Sequence, residues 1–166
     1  YGVVKGTREN CAALMESGQS ILVFPGGARE VTKRKGQKYQ LLWSDRLGFA
    51  HMAIRHGCTI VPFASIGVED SFEILVDGDD LLKSPMGRLL RRARVRADLL
   101  PPIVRGIGLT PIPRPHRLYF QFQKPIHVAQ NSHPDRTSTT HLRDSVYDSV
   151  SEGIQDLIHA RSRTPQ

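Results

Sequence analysis

Between Val23 and Glu30 the chain reads Val-Phe-Pro-Gly-Gly-Ala-Arg-Glu, a grouping of residue types that could handle an anion. Two glycines free the backbone, so that main-chain N–H groups can approach a phosphate or a carbonyl oxygen. Arg29 adds a planar guanidinium suited to phosphate or carboxylate, with Glu30 beside it. The residues just before, Ile21-Leu22-Val23-Phe24, form a short apolar run of the kind that makes a buried strand, ended by Pro25-Gly26-Gly27. In open α/β sheets ligands bind outside the carboxyl ends of strands, which is where this block would stand. The same residues would equally make a plain turn.

Other reactive residue types are scattered. Cys11 and Cys58 lie far apart without metal-ligand spacing, and fit buried thiols in a reducing compartment better than a disulfide framework. His51 and His56 fall on a predicted helix and read as structural or surface residues. No converging ligand set is found, so no metal site is expected. Five arginines, Arg88, Arg91, Arg92, Arg94 and Arg96, gather within nine positions. On an amphipathic helix they would meet an anionic leaflet, each contributing about 1 kcal/mol near the surface. Otherwise they are a solvated charged face.

The elements that must position these groups follow from periodicity. Residues Thr7 to Ser17 predict a helix stopped by Gly18. After the Ile21–Phe24 strand, Val31 to Gln40 is basic and polar and reads as a solvent-exposed loop. Ser44 is a plausible N-cap, with Asp45 in the first turn, for a helix through His56 that buries Leu47, Phe49, Ala50, Met52, Ala53 and Ile54. Gly57 ends it and Thr59-Ile60-Val61 opens a strand. Two apolar β-runs joined through a helix predict a βαβ crossover. The expected fold class is therefore α/β, a mixed and largely parallel sheet flanked by helices. Leu81 to Leu100 reads as an Arg-rich helix stopped by Pro101-Pro102. Leu118 to Phe122 alternates like a strand near a sheet edge. Past a Ser/Thr-rich stretch, Asn131 to Thr140, a last helix is expected from about His141 to His159, with Leu142, Val146, Val150, Ile154 and Leu157 on one face.

Composition narrows the classes. The 166 residues, 39% of them apolar, suffice for one domain with a core. The net charge of +7 suits an anionic membrane surface, an anionic substrate such as coenzyme A, or nucleic acid. Against nucleic acid, no aromatic residues interleave the arginines and no reader motif appears. No apolar stretch reaches the roughly 20 residues needed to span a bilayer. Tyr1 stands first and Val3-Val4 opens an apolar segment with no signal-peptide pattern, so a fragment lacking its N-terminal portion is expected.

Five blocks, taken together, resemble the lysophospholipid and diacylglycerol acyltransferase superfamily. Phe24-Pro25-Gly26-Gly27-Ala28-Arg29-Glu30 is similar to its Phe-Pro-Gly-Gly-x-x-Glu block. Gly2-Val3-Val4 with Thr7-Arg8-Glu9-Asn10, Asp45-Arg46-Leu47-Gly48-Phe49, Ile60-Val61-Pro62-Phe63 and Lys124-Pro125-Ile126 match further blocks in the same order. The resemblance covers nearly all of residues 2 to 128 apart from the Arg-rich insert, and it implies a partial acyltransferase domain over 1–160 with an insert at about 81–100 and a tail at 161–166. It implies transfer of a fatty acyl group from acyl-CoA or acyl carrier protein, as co-substrate and with no cofactor, to a glycerolipid or other lipid hydroxyl. It also implies association with the cytoplasmic face of a membrane. Gly26, Gly27, Arg29 and Glu30 would line the acceptor pocket. The family's general base is the His of a His-x-x-x-x-Asp motif. None of the seven histidines has an Asp five positions on, so that motif is expected upstream of Gly2 and the segment alone is expected to be inactive. Phosphate-accepting members usually carry Glu-Gly-Thr-Arg here. The Gly-Gly form resembles members with neutral acceptors such as diacylglycerol or long-chain alcohols. A non-catalytic lipid-binding relative, or a basic nucleic-acid or phosphate-binding module, is the alternative.

Overall fold

The computed structural model describes residues 4–31, 33–76, 103–108 and 110–163. These form mixed α/β structure with two small two-stranded sheets, divided between two compact units. The first unit holds the chain up to Pro25, Ser44–Ala64 and Gln121–Asp156; the second holds Gly26–Trp43, Ser65–Phe120 and the chain from Leu157. The Arg-rich insert, with Arg88, Arg91, Arg92, Arg94 and Arg96, lies outside the described residues. No described helix is long and apolar enough to cross a membrane.

In the first unit, helix α1 (Arg8–Glu16) begins as its sequence dictates. Thr7 is extended, and its hydroxyl accepts the Asn10 N–H at 3.2 Å. Gly18, at φ +70°, closes the end, with the Gln19 N–H reaching the Leu14 carbonyl at 2.9 Å. Helix α2 (Ala28–Val31) is a single turn of the second unit. Helix α3 (Gly48–His56) packs on α1 and buries Ala50, Met52, Ala53 and Ile54. Gly57, at φ +64°, ends it as expected. Its start is a correction: Leu47, not Ser44, is the N-cap residue. Ser44 sits in the left-handed region at φ +49°, and its carbonyl accepts Arg143 Nη2 at 2.6 Å. A residue turned that way cannot lead into a helix.

The largely parallel sheet is also corrected. Strand β1 (Phe63–Ile66) pairs with β4 (Tyr119–Phe122), and the pairing is prolonged by an antiparallel bridge between Ile60 and Ile126. Of the expected strand 59–61 only Ile60 pairs, its N–H and carbonyl both bonded to Ile126 at 2.9 and 2.8 Å. The run Ile21–Phe24 makes no strand, and Leu22 and Phe24 are 65% and 63% exposed. Among the described residues no paired strand precedes α3, so they contain no βαβ crossover through it. In the second unit β2 (Glu73–Val76) and β3 (Ile103–Arg105) pair antiparallel, Glu73 opposite Arg105 and Ile74 opposite Val104.

Helix α4 (Arg136–Arg163) buries the expected stripe of Leu142, Val146, Val150, Ile154 and Leu157. It starts five residues early because Asp135 caps it. The Asp135 carboxylate accepts both the N–H (2.8 Å) and the hydroxyl of Ser138, and its carbonyl accepts the Thr139 hydroxyl at 2.6 Å. The Ser/Thr-rich stretch is thus partly a helix start.

Gly153 is where α4 comes down on the β-pair of the first unit. A Cβ there would lie 2.9 Å from the Ala64 Cβ and 2.0 Å from Gln123 Nε2. Gly153→Leu should therefore destabilise the protein by about 2 kcal/mol through overpacking, despite the gain in helix propensity. Thermal unfolding followed by circular dichroism checks this; an unchanged or higher midpoint would show that the contact yields.

Candidate functional site

The glycine-rich block is a tight turn ending in one turn of helix. Gly27 takes φ +57°, and its carbonyl receives the Glu30 N–H at 3.1 Å. Gly26 is buried because Glu30 folds back over it. A Cβ on Gly26 would come within 2.1 Å of Glu30 Cγ and Cδ. From that position Glu30 Oε1 accepts the Leu42 N–H at 3.2 Å. The acid closes the loop from 30 to 42 as well as standing in the block. Arg29 is exposed on the surface. In the first unit, the Pro25 carbonyl faces Arg46 Nη1 at 3.4 Å.

The basic loop that follows is largely exposed, as expected, but Lys33, Lys38 and Tyr39 are engaged by acids rather than by solvent alone. Lys33, with only 14% of its side chain exposed, pairs with Glu69, and Lys38 pairs with Asp70. Both acids belong to a 3-10 turn, Val68–Asp70. The Tyr39 N–H donates to Glu69 Oε2 at 2.5 Å, and its hydroxyl donates to Asp70 Oδ2 at 2.8 Å. Arg161, near the end of α4, donates to the same Asp70 oxygen at 2.6 Å and to the Tyr39 hydroxyl at 2.9 Å. The Lys38 ammonium and the Arg161 guanidinium lie 5.2 and 5.4 Å from the Tyr39 ring centre, within cation–π range. Tyr39 is held in the left-handed region at φ +62°.

Electrostatics at this node follow from its contacts. Burial alone would raise the Asp70 carboxyl, but hydrogen bonds from Lys38, Tyr39 and Arg161 outweigh it and hold its pKa below the ordinary value. Lys38 is moved up: burial opposes the shift, and the bond to Asp70 overcomes it. Arg161 is also raised, first by its hydrogen bond to Tyr39. The 3-10 turn is set by Gly67, at φ +112°, where a Cβ would fall 2.3 Å from the Arg117 carbonyl oxygen. Composition gave no signal for this cluster, because its members come from three separated stretches of chain.

Of the expected site residues, the structure places Gly26, Gly27, Arg29 and Glu30 in one turn and ties Glu30 to Gly26 and Leu42. Among the described residues no group of His, Cys, Asp or Glu could hold a metal ion.

Comparisons with known proteins agree on one family. A profile of the diacylglycerol acyltransferase family matches residues 1–159. Phytyl ester synthase 1 and phytyl ester synthase 2, both chloroplastic proteins of Arabidopsis thaliana, are each 31% identical over 95% and 99% of this chain. The chain spans about a quarter of their length, 24% and 25%. Diacylglycerol O-acyltransferase 2B of Umbelopsis ramanniana is 36% identical over 43% of this chain and 21% of its own length. No solved structure matches.

The Asp70 node carries a pH signature. The folded-state pKa of Asp70 lies below the unfolded value of about 3.9, so its stabilisation is complete above that value and is lost as the pH falls through the lower folded value. Asp70→Asn should melt below the parent protein at pH 7, and the gap should close as the pH is taken from about 5 to about 2. A gap of constant size, read from melting curves across that range, would mean that charge at Asp70 contributes nothing.

Proposed function

This chain belongs to the diacylglycerol acyltransferase family, and we propose that it forms the acceptor-side part of an enzyme that moves a fatty acyl group from a thioester to a lipid hydroxyl. The match over residues 1–159 carries the reading. The donor is acyl-CoA or acyl carrier protein. A general base takes the acceptor's hydroxyl proton, the oxygen attacks the thioester carbonyl, and the thiolate leaves. None of the seven histidines has the Asp partner that the family's motif requires, so none of them is assigned as that base. The chain alone is therefore expected to be inactive.

The acceptor is a neutral lipid alcohol. Two observations support this. The block carries Gly26-Gly27 where phosphate-accepting members carry an acid, and two relatives matched over most of the chain are named for phytyl esters, whose alcohol is long and uncharged. In the block itself, Arg29 supplies fixed positive charge for a developing oxyanion. Glu30 keeps the turn in shape through Leu42. The enzyme works at the cytoplasmic face of a membrane, where the Arg88 to Arg96 cluster meets anionic lipid.

The test is an assay of the full-length protein in detergent with labelled acyl-CoA and, separately, diacylglycerol, a long-chain alcohol and lysophosphatidate. Labelled neutral ester is the expected product. Lysophosphatidate as the preferred acceptor would overturn the neutral-acceptor reading, and no product above a heat-killed control with any acceptor would overturn the activity. In the same assay Arg29→Ala should lower turnover about 10-fold or more, as loss of one charge-stabilising group does. Arg91→Ala in detergent should leave it within about 2-fold, since a membrane contact contributes little without the membrane. Equal losses would remove Arg29 from the pocket.

A further inference from the structure

Helices α1 and α3 and the segment Gln130–His133, all within the first unit, line a cavity of about 620 Å³. No residue of the glycine-rich block lines it. Its charges are unevenly engaged. Glu9, in the first turn of α1, is held below its ordinary pKa first by its own backbone N–H and then by Thr7, with Arg8 adding the smallest share. Glu16 faces His56 Nδ1 at 4.0 Å. Arg8 and Arg55 are both exposed, and neither side chain makes an ion pair or hydrogen bond to any described residue. Arg8 and Arg55 are thus the two permanent positive charges of a lining that also holds two carboxylates, Glu9 bonded at the start of α1 and Glu16 facing His56.

The third wall is fixed in place. The Asn131 N–H donates to the Ile54 carbonyl at 2.9 Å, and Gln130 Nε2 reaches the Arg55 carbonyl at 3.4 Å. Asn131 Oδ1 in turn accepts the His133 N–H at 3.0 Å. Gly57 gives Gln130 its room: a Cβ there would lie 3.0 Å from the Gln130 Cβ. Ser132 and His133 are thus presented on a docked segment at the same cavity as the two guanidiniums.

We propose that this cavity binds the phosphate group of a phosphorylated organic ligand, with Arg8 and Arg55 supplying the charge and Ser132 and His133 supplying further hydrogen bonds. Guanidinium forks match phosphate oxygens two at a time, and such charge-assisted bonds are the strong ones. The space is far larger than a phosphate ion and falls in the range of pockets for whole small molecules. The phosphate is either that of a nucleotide, as in coenzyme A, or that of a lipid headgroup.

Calorimetric titration of the whole chain at low ionic strength distinguishes the sources. Adenosine 3′,5′-bisphosphate stands for the nucleotide, glycerol 3-phosphate for the headgroup, and inorganic phosphate serves as competitor. At least one organic probe should bind and be displaced by inorganic phosphate. Arg8→Gln with Arg55→Gln should weaken it about 10-fold or more, the loss typical of a charged hydrogen bond, with the circular dichroism spectrum unchanged. Should that pair fail to fold, Arg8→Lys with Arg55→Lys keeps the charge and removes the forks, and weakening is again expected. Absence of binding by all three probes at millimolar concentration, or unaltered affinity in the folded variants, would overturn the site. Neither result depends on whether acyl transfer is detected, so this site and the transferase reading can fail separately.

Discussion

The hydrogen bonds converging on the Asp70 carboxylate are the constraint from which the second unit takes its shape. One oxygen receives both the Tyr39 hydroxyl and the Arg161 guanidinium, and Lys38 takes the other. A tyrosine in the left-handed region costs on the order of 1–3 kcal/mol and persists only when its surroundings over-determine it. Here the backbone N–H, the hydroxyl and the ring, which two cations approach, are engaged at once. Among the described residues of this unit the buried large apolar side chains are Trp43, Ile66 and Leu157. These polar bonds tie the loop that follows the glycine-rich block to the 3-10 turn and to the end of α4.

The first unit is built on the opposite principle. The stripe from Leu142 to Ile154 and the small residues of α3 bury apolar surface with few polar bonds. Gly153 brings the α4 backbone close to Ala64. Its edges remain oily: Leu22, Phe24 and Phe122 keep 65%, 63% and 75% of their surface in contact with solvent. Phe122 shares only a tilted contact with Phe63, at 6.0 Å between ring centres.

What could be read in the sequence was what short stretches of chain decide for themselves. The glycine stops at Gly18 and Gly57 and the fourfold-spaced stripe of α4 depend on residues a few positions apart, and each stands as read. The parallel sheet did not follow, because pairing depends on partners far along the chain: Ile60 finds Ile126, and Ile21–Phe24 finds no strand. The same limit hid the Asp70 node. Lysines in a polar loop look solvated until the acids that meet them are known, and those acids lie about thirty positions on. The Gly26–Glu30 block drew attention by residue type, which fitted a plain turn equally, and by its resemblance to a family block. The bond from Leu42 to Glu30, and the cavity walled by Arg8, Arg55 and His133, were not legible in the sequence.

The two glycines of the block answer different demands, and this gives them different histories under mutation. Gly27 is required by its backbone angle, so residues that tolerate the left-handed region, asparagine foremost, are conceivable substitutes. Gly26 is required by volume: the Glu30 side chain already occupies the place its own side chain would take. No backbone preference can make room there unless Glu30 moves first. Positions 26 and 30 are thus a coupled pair, in which a larger residue at the first becomes admissible only after the second has shortened, while position 27 is free to drift alone.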